Sequence, residues 1–248
     1  MQRTKFTALR AIAALCATFS FATAQAHQVW LEQDAQGAKL YFGEYGDNLR
    51  EATPGLLDKF VKPTGQKLVA GKAAEPLTLT KTPNGFALSG RAARGETLIA
   101  EEASYPVSER KQGDKTTRSI YQPAARLVTE IAKQEPVLTL DLVPTGPAAA
   151  GKLEVQAFYK GKALAKAKVM VVTASGWAQE HHTDEAGKMS VSLPWRGTYV
   201  LELSHTDATG GERAGEKWDR GSYVTSLTLE QADGLAALPA NPPAPPNK

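Results

Sequence analysis

LEVQAF at residues 153–158, KMSVSL at 188–193 and TYVLELS at 198–204 decide the fold. Leu153, Val155 and Ala157 alternate with Glu154, Gln156 and Phe158. Met189, Val191 and Leu193 alternate with Lys188, Ser190 and Ser192, and Tyr199, Leu201 and Leu203 with Val200, Glu202 and Ser204. A period of two puts every second side chain on one face of an extended chain, so these are half-buried strands rather than helices. Between them lie turn residues, Tyr159-Lys160-Gly161-Lys162 and Asp184-Glu185-Ala186-Gly187. A Val-rich run, Lys168 to Thr173, and a last apolar run, Tyr223 to Leu229, complete the set. Short strands at this spacing predict an Ig-like β-sandwich over residues 151–230.

Upstream the reading is also β. QVWLE at 28–32 and AKLYF at 38–42 flank Asp34-Ala35-Gln36-Gly37, a hairpin signal. Short strands follow at 67–70, 77–81, 86–89, 97–102 and 119–131, with Pro83-Asn84-Gly85 as a turn. Residues 51–59 (EATPGLLDK) are the one short helical or turn region. The Pro/Gly/Ala stretch from Pro144 to Gly151 marks a boundary. The expected architecture is therefore all-β: an N-terminal β domain at 27–146, the Ig-like sandwich at 151–230, and a tail at 231–248. Five prolines in the last ten residues make that tail a solvated, disordered segment on composition.

Residues 1–26 have the three parts of a secretory signal peptide: a basic start (Arg3, Lys5, Arg10), an apolar stretch from Ala11 to Ala22, and Ala24-Gln25-Ala26 as a cleavage site. The apolar stretch is too short to span a bilayer. Leu15 before Cys16 disfavours a lipid anchor. The chain has 29 Lys and Arg, 26 Asp and Glu, four His and one Cys. Cleavage takes away three basic residues and the Cys, leaving 26 basic against 26 acidic residues. A neutral mature chain without a basic patch gives nucleic acid nothing to recognise, and without Cys it forms no disulfide or thiolate site. The expected location is the periplasm or the exterior, with no membrane span.

Cleavage also makes His27 the first residue. Its free α-amine and its Nδ1 can close a chelate on one ion, and such nitrogen donors suit Cu(II) or Ni(II). The other candidate ligands are His181 and His182 beside the turn at Asp184, and His205 with Asp207 at the end of the 199–204 strand. Adjacent strand residues face opposite ways, so only one of His181 and His182 would join a given site. His205 shares the parity of Leu201 and Leu203. Asp207 would serve as ligand or as acceptor for an imidazole N–H. Glu44, Asp47, Glu180 and Asp184 are nearby carboxylates. No G-x-S-x-G, H-E-x-x-H, Walker or dinucleotide motif is present, so the reading favours a binding protein over an enzyme.

Three stretches carry a resemblance: His27-Gln-Val-Trp-Leu31; Phe42-Gly-Glu-Tyr-Gly46; and the series 161–169 (GKALAKAKV), 183–187 (TDEAG) and 197–201 (GTYVL). The chain resembles a bacterial periplasmic family of unknown function related to the NikM-like component of nickel and cobalt uptake. Ala163 stands where that pattern usually has Pro. The resemblance implies a secreted all-β protein that handles nickel, cobalt, copper or iron, with His27 as the one ligand carried over by position. The expected function is a soluble transition-metal binder that buffers the ion or passes it to an envelope transporter or outer-membrane receptor. The bound ion would be divalent Ni, Co or Cu. Two other classes share these residues. One is a copper oxidase using the same N-terminal histidine on polysaccharide, with Trp177, Trp195 and Trp218 as stacking surfaces. The other is a non-catalytic Ig-like adhesion or carbohydrate-binding module.

Overall fold

The computed structural model describes residues 27–148 and 151–247. The signal-peptide reading falls on residues 1–26 and lies outside the described residues. The first half contains β1 (Gln28–Gln33), β2 (Ala38–Glu44), β3 (Leu49–Arg50), β4 (Thr64–Leu68), β5 (Glu75–Leu77), β6 (Leu79–Thr82), β7 (Gly85–Leu88), β8 (Thr97–Glu101), β9 (Ser108–Gln112) and β10 (Lys115–Val128). The second contains β11 (Leu140–Pro144), β12 (Lys152–Tyr159), β13 (Lys162–Ala163), β14 (Lys168–Thr173), β15 (Ala178–His182), β16 (Lys188–Ser192), β17 (Gly197–Asp207), β18 (Gly211–Arg213), β19 (Glu216–Trp218) and β20 (Arg220–Gln231). The expected short helix between 51 and 59 is a single 3-10 turn, Leu56–Lys59. The protein is all-β, as the alternation predicts.

The strands form a sandwich-like stack of sheets. A nine-stranded sheet runs β15-β14-β17-β20-β10-β8-β4-β5, with β9 beside β10. One face of it meets β11, β12, β13 and β16 across a core of Leu142, Leu153, Val155, Val171, Val191, Leu201, Leu203 and Leu227, all at 1% exposure or less. Leu153, Val155, Val191, Leu201 and Leu203 are apolar members of the alternating runs. Fully burying each such side chain contributes about 1.5–3 kcal/mol. The five-stranded sheet of β1, β2, β3, β6 and β7 encloses a second core with Leu31, Leu40, Leu57 and Leu98.

Among the described residues two large cores are present beside two small clusters, around Trp30 and Ile99, but the hydrogen-bonded sheet crosses the expected boundary at 146–151. β10 from the first half pairs in parallel with β20 from the second, Ser119 opposite Arg220 through Leu127 opposite Thr228. β11, before the Pro/Gly/Ala stretch, pairs with β12 after it. Local patterning reports strands one at a time and is silent on partners this distant in sequence, so the join was invisible to it.

The tail corrects part of a further expectation. Composition made 231–248 solvated and disordered; most of residues 232–247 are exposed, but contacts at Leu235, Asn241, Ala244 and Asn247 fix the segment to the body. Asn241 Nδ2 donates to the Gly46 carbonyl at 2.8 Å, and its backbone N–H donates to Ala174 at 2.8 Å. Ala244 bridges Leu49. Proline has less backbone entropy to lose when an extended segment is laid down, so a Pro-rich strap can be held by a few polar contacts.

Candidate functional site

His27 precedes β1, which runs antiparallel to β2 with Gln28 opposite Gly43 and Val29 opposite Phe42. Its ring centroid lies 5.1 Å from that of Phe42. The Tyr121 hydroxyl on β10 donates to the His27 carbonyl at 2.6 Å. Burial pushes the Tyr121 phenol well above its ordinary range, so it remains a donor.

The imidazole is oriented from one side. His27 Nε2 lies 2.6 Å from Glu51 Oε1, and the Glu51 side chain is fully buried. A carboxylate has no hydrogen to give, so Nε2 carries the proton and donates it. Asn247 Nδ2 lies 3.0 Å from Nε2 and directs its own hydrogen to Glu51 Oε1 at 2.7 Å, while its backbone N–H donates to Oε2 at 3.2 Å. With Nε2 engaged by Glu51, Nδ1 is the ring nitrogen left to meet a ligand. Among the described residues Nδ1 meets no hydrogen-bond partner.

The glycines of Phe42-Gly-Glu-Tyr-Gly46 serve this geometry. Gly43 has φ +147°, and a Cβ there would stand 2.2 Å from the Leu49 carbonyl oxygen. A Cβ on Gly46 would meet Val172 Cγ1 at 2.9 Å. Both allow β2 to turn back close to β3 and β14, which brings Glu51 under His27.

The remaining predicted ligands stand elsewhere. His205 is opposite Tyr223 on β20 and packs its ring 4.4 Å from Tyr159. It faces the first core, as its parity predicts, and burial lowers its pKa. β1 lies on the other face of the same sheet, where the Ser226 hydroxyl donates to the Val29 carbonyl at 2.6 Å. His27 and His205 therefore point into opposite sides of one sheet and do not share an ion. Asp207 accepts from the Tyr159 hydroxyl at 2.6 Å and from Lys160 Nζ at 3.1 Å, contacts that hold its carboxyl well below the usual range. His181 is opposite Val169, half-buried, with Nε2 unpartnered and its pKa lowered by burial. His182 is opposite Lys168, exposed, 3.7 Å from Glu180. Among the described residues no three His, Cys, Asp or Glu side chains gather closely enough to hold one ion. Trp177 and Trp195 pack edge-to-face at 5.0 Å against the first core, where Trp218 also packs.

Glu51, Tyr121 and Asn247 were missed by sequence reasoning. Glu51 stands in a polar loop, and nothing in its neighbours marks it as fully buried. Asn247 lies 220 residues from His27. The site depends on contacts between residues widely separated along the chain.

A family model described as Domain of unknown function (DUF4198) matches residues 24–207, which include His27, Glu51 and the nine-stranded sheet up to β17. No curated protein matches the chain. No helix among the described residues is long and apolar enough to cross a membrane.

Proposed function

We propose that this chain, which belongs to the DUF4198 family, binds a divalent transition metal ion, Ni, Co or Cu, through His27 once the residues before it have been removed. The observation that carries the reading is the 2.6 Å contact from Nε2 to the buried Glu51 carboxylate. Metal-bound histidines characteristically give their second ring N–H to a carboxylate, which fixes the tautomer and makes the ligating nitrogen more basic. Here that arrangement leaves Nδ1 and the α-amine as the chelating pair. Two nitrogens from one residue do not complete a coordination shell, so exchangeable water or a partner's ligands fill the rest. An ion held in that way can be handed on. This fits a periplasmic carrier or buffer serving an envelope transporter, in line with the resemblance to NikM-like nickel and cobalt components.

The test is equilibrium dialysis or calorimetry with Ni, Co, Cu and Zn on protein beginning at His27, beside protein with one glycine added before it. An added residue turns the amine into an amide, and binding of Ni and Cu should weaken at least tenfold. Equal affinity for the two forms would remove His27 as an N-terminal chelator.

A further inference from the structure

The face of the nine-stranded sheet beside β1 also carries a cleft of about 340 Å³. One wall is Glu44, Tyr45, Gly46 and Asp47, at the end of β2 and the turn after it. The other is built from β14, β15 and β17, which contribute Lys168, Met170, Val172, Glu180, Glu202 and Ser204. Gln28 of β1 lines one side.

Charge and hydrogen bonding in this cleft are unbalanced. Four carboxylates line it: Glu44, Asp47, Glu180 and Glu202. Lys168 is the basic side chain lining it, and its Nζ is already 3.2 Å from Glu180. Among the described residues that line the cleft, no second cation pairs with Glu44, Asp47 or Glu202. Burial, then the neighbouring Asp47, raises the pKa of Glu44. Independently of the acids, Gln28 is 8% exposed, and its Oε1 is buried with no hydrogen-bond partner. An acceptor of this kind costs about 1–3 kcal/mol to leave unpaired. The carboxylates call for positive charge and the Gln28 oxygen for a hydrogen-bond donor; an ammonium group supplies both.

We propose that this cleft binds an organic cation of the diamine or polyamine class. The carboxylates do not converge tightly enough to hold one ion, as no three such groups do among the described residues. They are spread over β17 and the β2 turn, with an apolar floor of Tyr45, Met170 and Val172 between them. Separate ammonium groups joined by an alkyl stem match that pattern. Ammonium groups meet the carboxylates and Gln28 Oε1, while the methylenes lie on the floor.

Titration calorimetry at low salt, with putrescine and spermidine as metal-free probes, tests this on protein beginning at His27. Spermidine should bind once per chain and more tightly than putrescine. Glu202→Gln should weaken it at least tenfold, and combination with Glu44→Gln should bring it below detection. Glu185→Gln, on an exposed turn, controls for general surface charge and should match the unaltered protein. Thermal melts confirm that each variant folds. Absence of saturable binding of either probe overturns the proposal, as does equal binding by Glu202→Gln and the unaltered chain. Displacement of spermidine by stoichiometric Ca²⁺ or Mn²⁺ would also overturn it in favour of a metal.

Discussion

The imidazole of His27 donates through Nε2 to a carboxylate, Glu51, that is sealed from solvent on every side. This pair ties the start of β1 to the loop after β3. It also decides which ring nitrogen is available for chemistry. Three further side chains, Phe42, Tyr121 and Asn247, and the Asn247 backbone N–H converge on it, from β2, β10 and the tail. A surface histidine would need none of that support.

The first prediction follows from the tautomer. Glu51→Gln keeps the size of the side chain but removes the charge and offers an amide in place of two acceptor oxygens. The ring loses its fixed orientation, and Nδ1 loses basicity. Carboxylate partners of this kind are worth about 10–100-fold in metal affinity. Nickel and copper affinity of protein beginning at His27 should fall by that factor while near-UV circular dichroism is retained. A variant that binds as tightly as the parent would leave Glu51 with a purely structural part.

The tail should behave as a strap. Asn241 donates to Gly46 and Ala174 and accepts from Asn48 Nδ2 at 2.7 Å, so it joins the β2 turn to the loop after β14. Gly176 packs against it so closely that a Cβ would stand 2.7 Å from Asn241 Nδ2. Each hydrogen bond contributes about 0.5–1.5 kcal/mol net. Asn241→Ala removes only the side-chain bond to Gly46 and should cost about 0.5–1.5 kcal/mol in denaturant unfolding, and ending the chain at Gln231, which also removes the two backbone bonds, should cost more. Limited proteolysis should then begin near residues 46–51. Unchanged stability of the truncated chain would mean that the strap holds nothing.

The fold was legible where one side of a strand meets the core, and illegible where strands choose partners. Leu153, Val191 and Leu201 are apolar at alternating positions, and each is buried. Ser108–Gln112 is exposed along its whole length, so β9 offers no apolar alternation to read. The parallel pairing of β10 with β20 joins residues about a hundred apart, and no short-range pattern encodes it. The site divides in the same way. His27 stood out because its place in the chain gives it two donor nitrogens. Its separation from His205 depends on which face of the nine-stranded sheet β1 covers. Arg126 had a faint signal, a single charge inside the apolar run Ala124 to Val128.

Glu202 gives stability a pH dependence of known sign. Burial first, then the carboxylates of Glu44 and Asp47, push its pKa from 4.5 up to about 7. Lys168 across the cleft is engaged by Glu180. Between those two values the folded protein keeps a proton that the unfolded chain has released. Stability therefore falls as pH rises through this window, and the cost is fully present above about pH 7. Glu202→Gln carries no charge to desolvate. It should be more stable than the parent at pH 8, by on the order of 1–3 kcal/mol, and the two should converge near pH 4.5. Chemical denaturation at both pH values checks this; a variant no more stable at pH 8 would show that the carboxylate is well solvated.

The last prediction concerns Arg126 and Asp141, which are both fully buried beneath the nine-stranded sheet. Arg126 donates from Nε at 3.0 Å and from Nη2 at 2.6 Å to the two Asp141 oxygens, and Asp141 Oδ2 also accepts the backbone N–H groups of Val137 and Leu138 at 2.8 and 3.0 Å. The pair therefore pins the 137–138 turn between β10 and β11, where the chain passes from one core to the other. Arg126 Nη1 is left without a partner. Desolvating two charges offsets most of their attraction, so the intact pair contributes little net stability, but either charge alone is costly. Asp141→Ala should therefore cost about 3–5 kcal/mol. The double variant Arg126→Met with Asp141→Leu should recover part of that loss, short of the full amount because the two turn N–H groups lose their acceptor. A double-mutant cycle by urea unfolding separates these terms. If the double variant is no more stable than Asp141→Ala alone, the carboxylate acts chiefly on the turn rather than on the guanidinium.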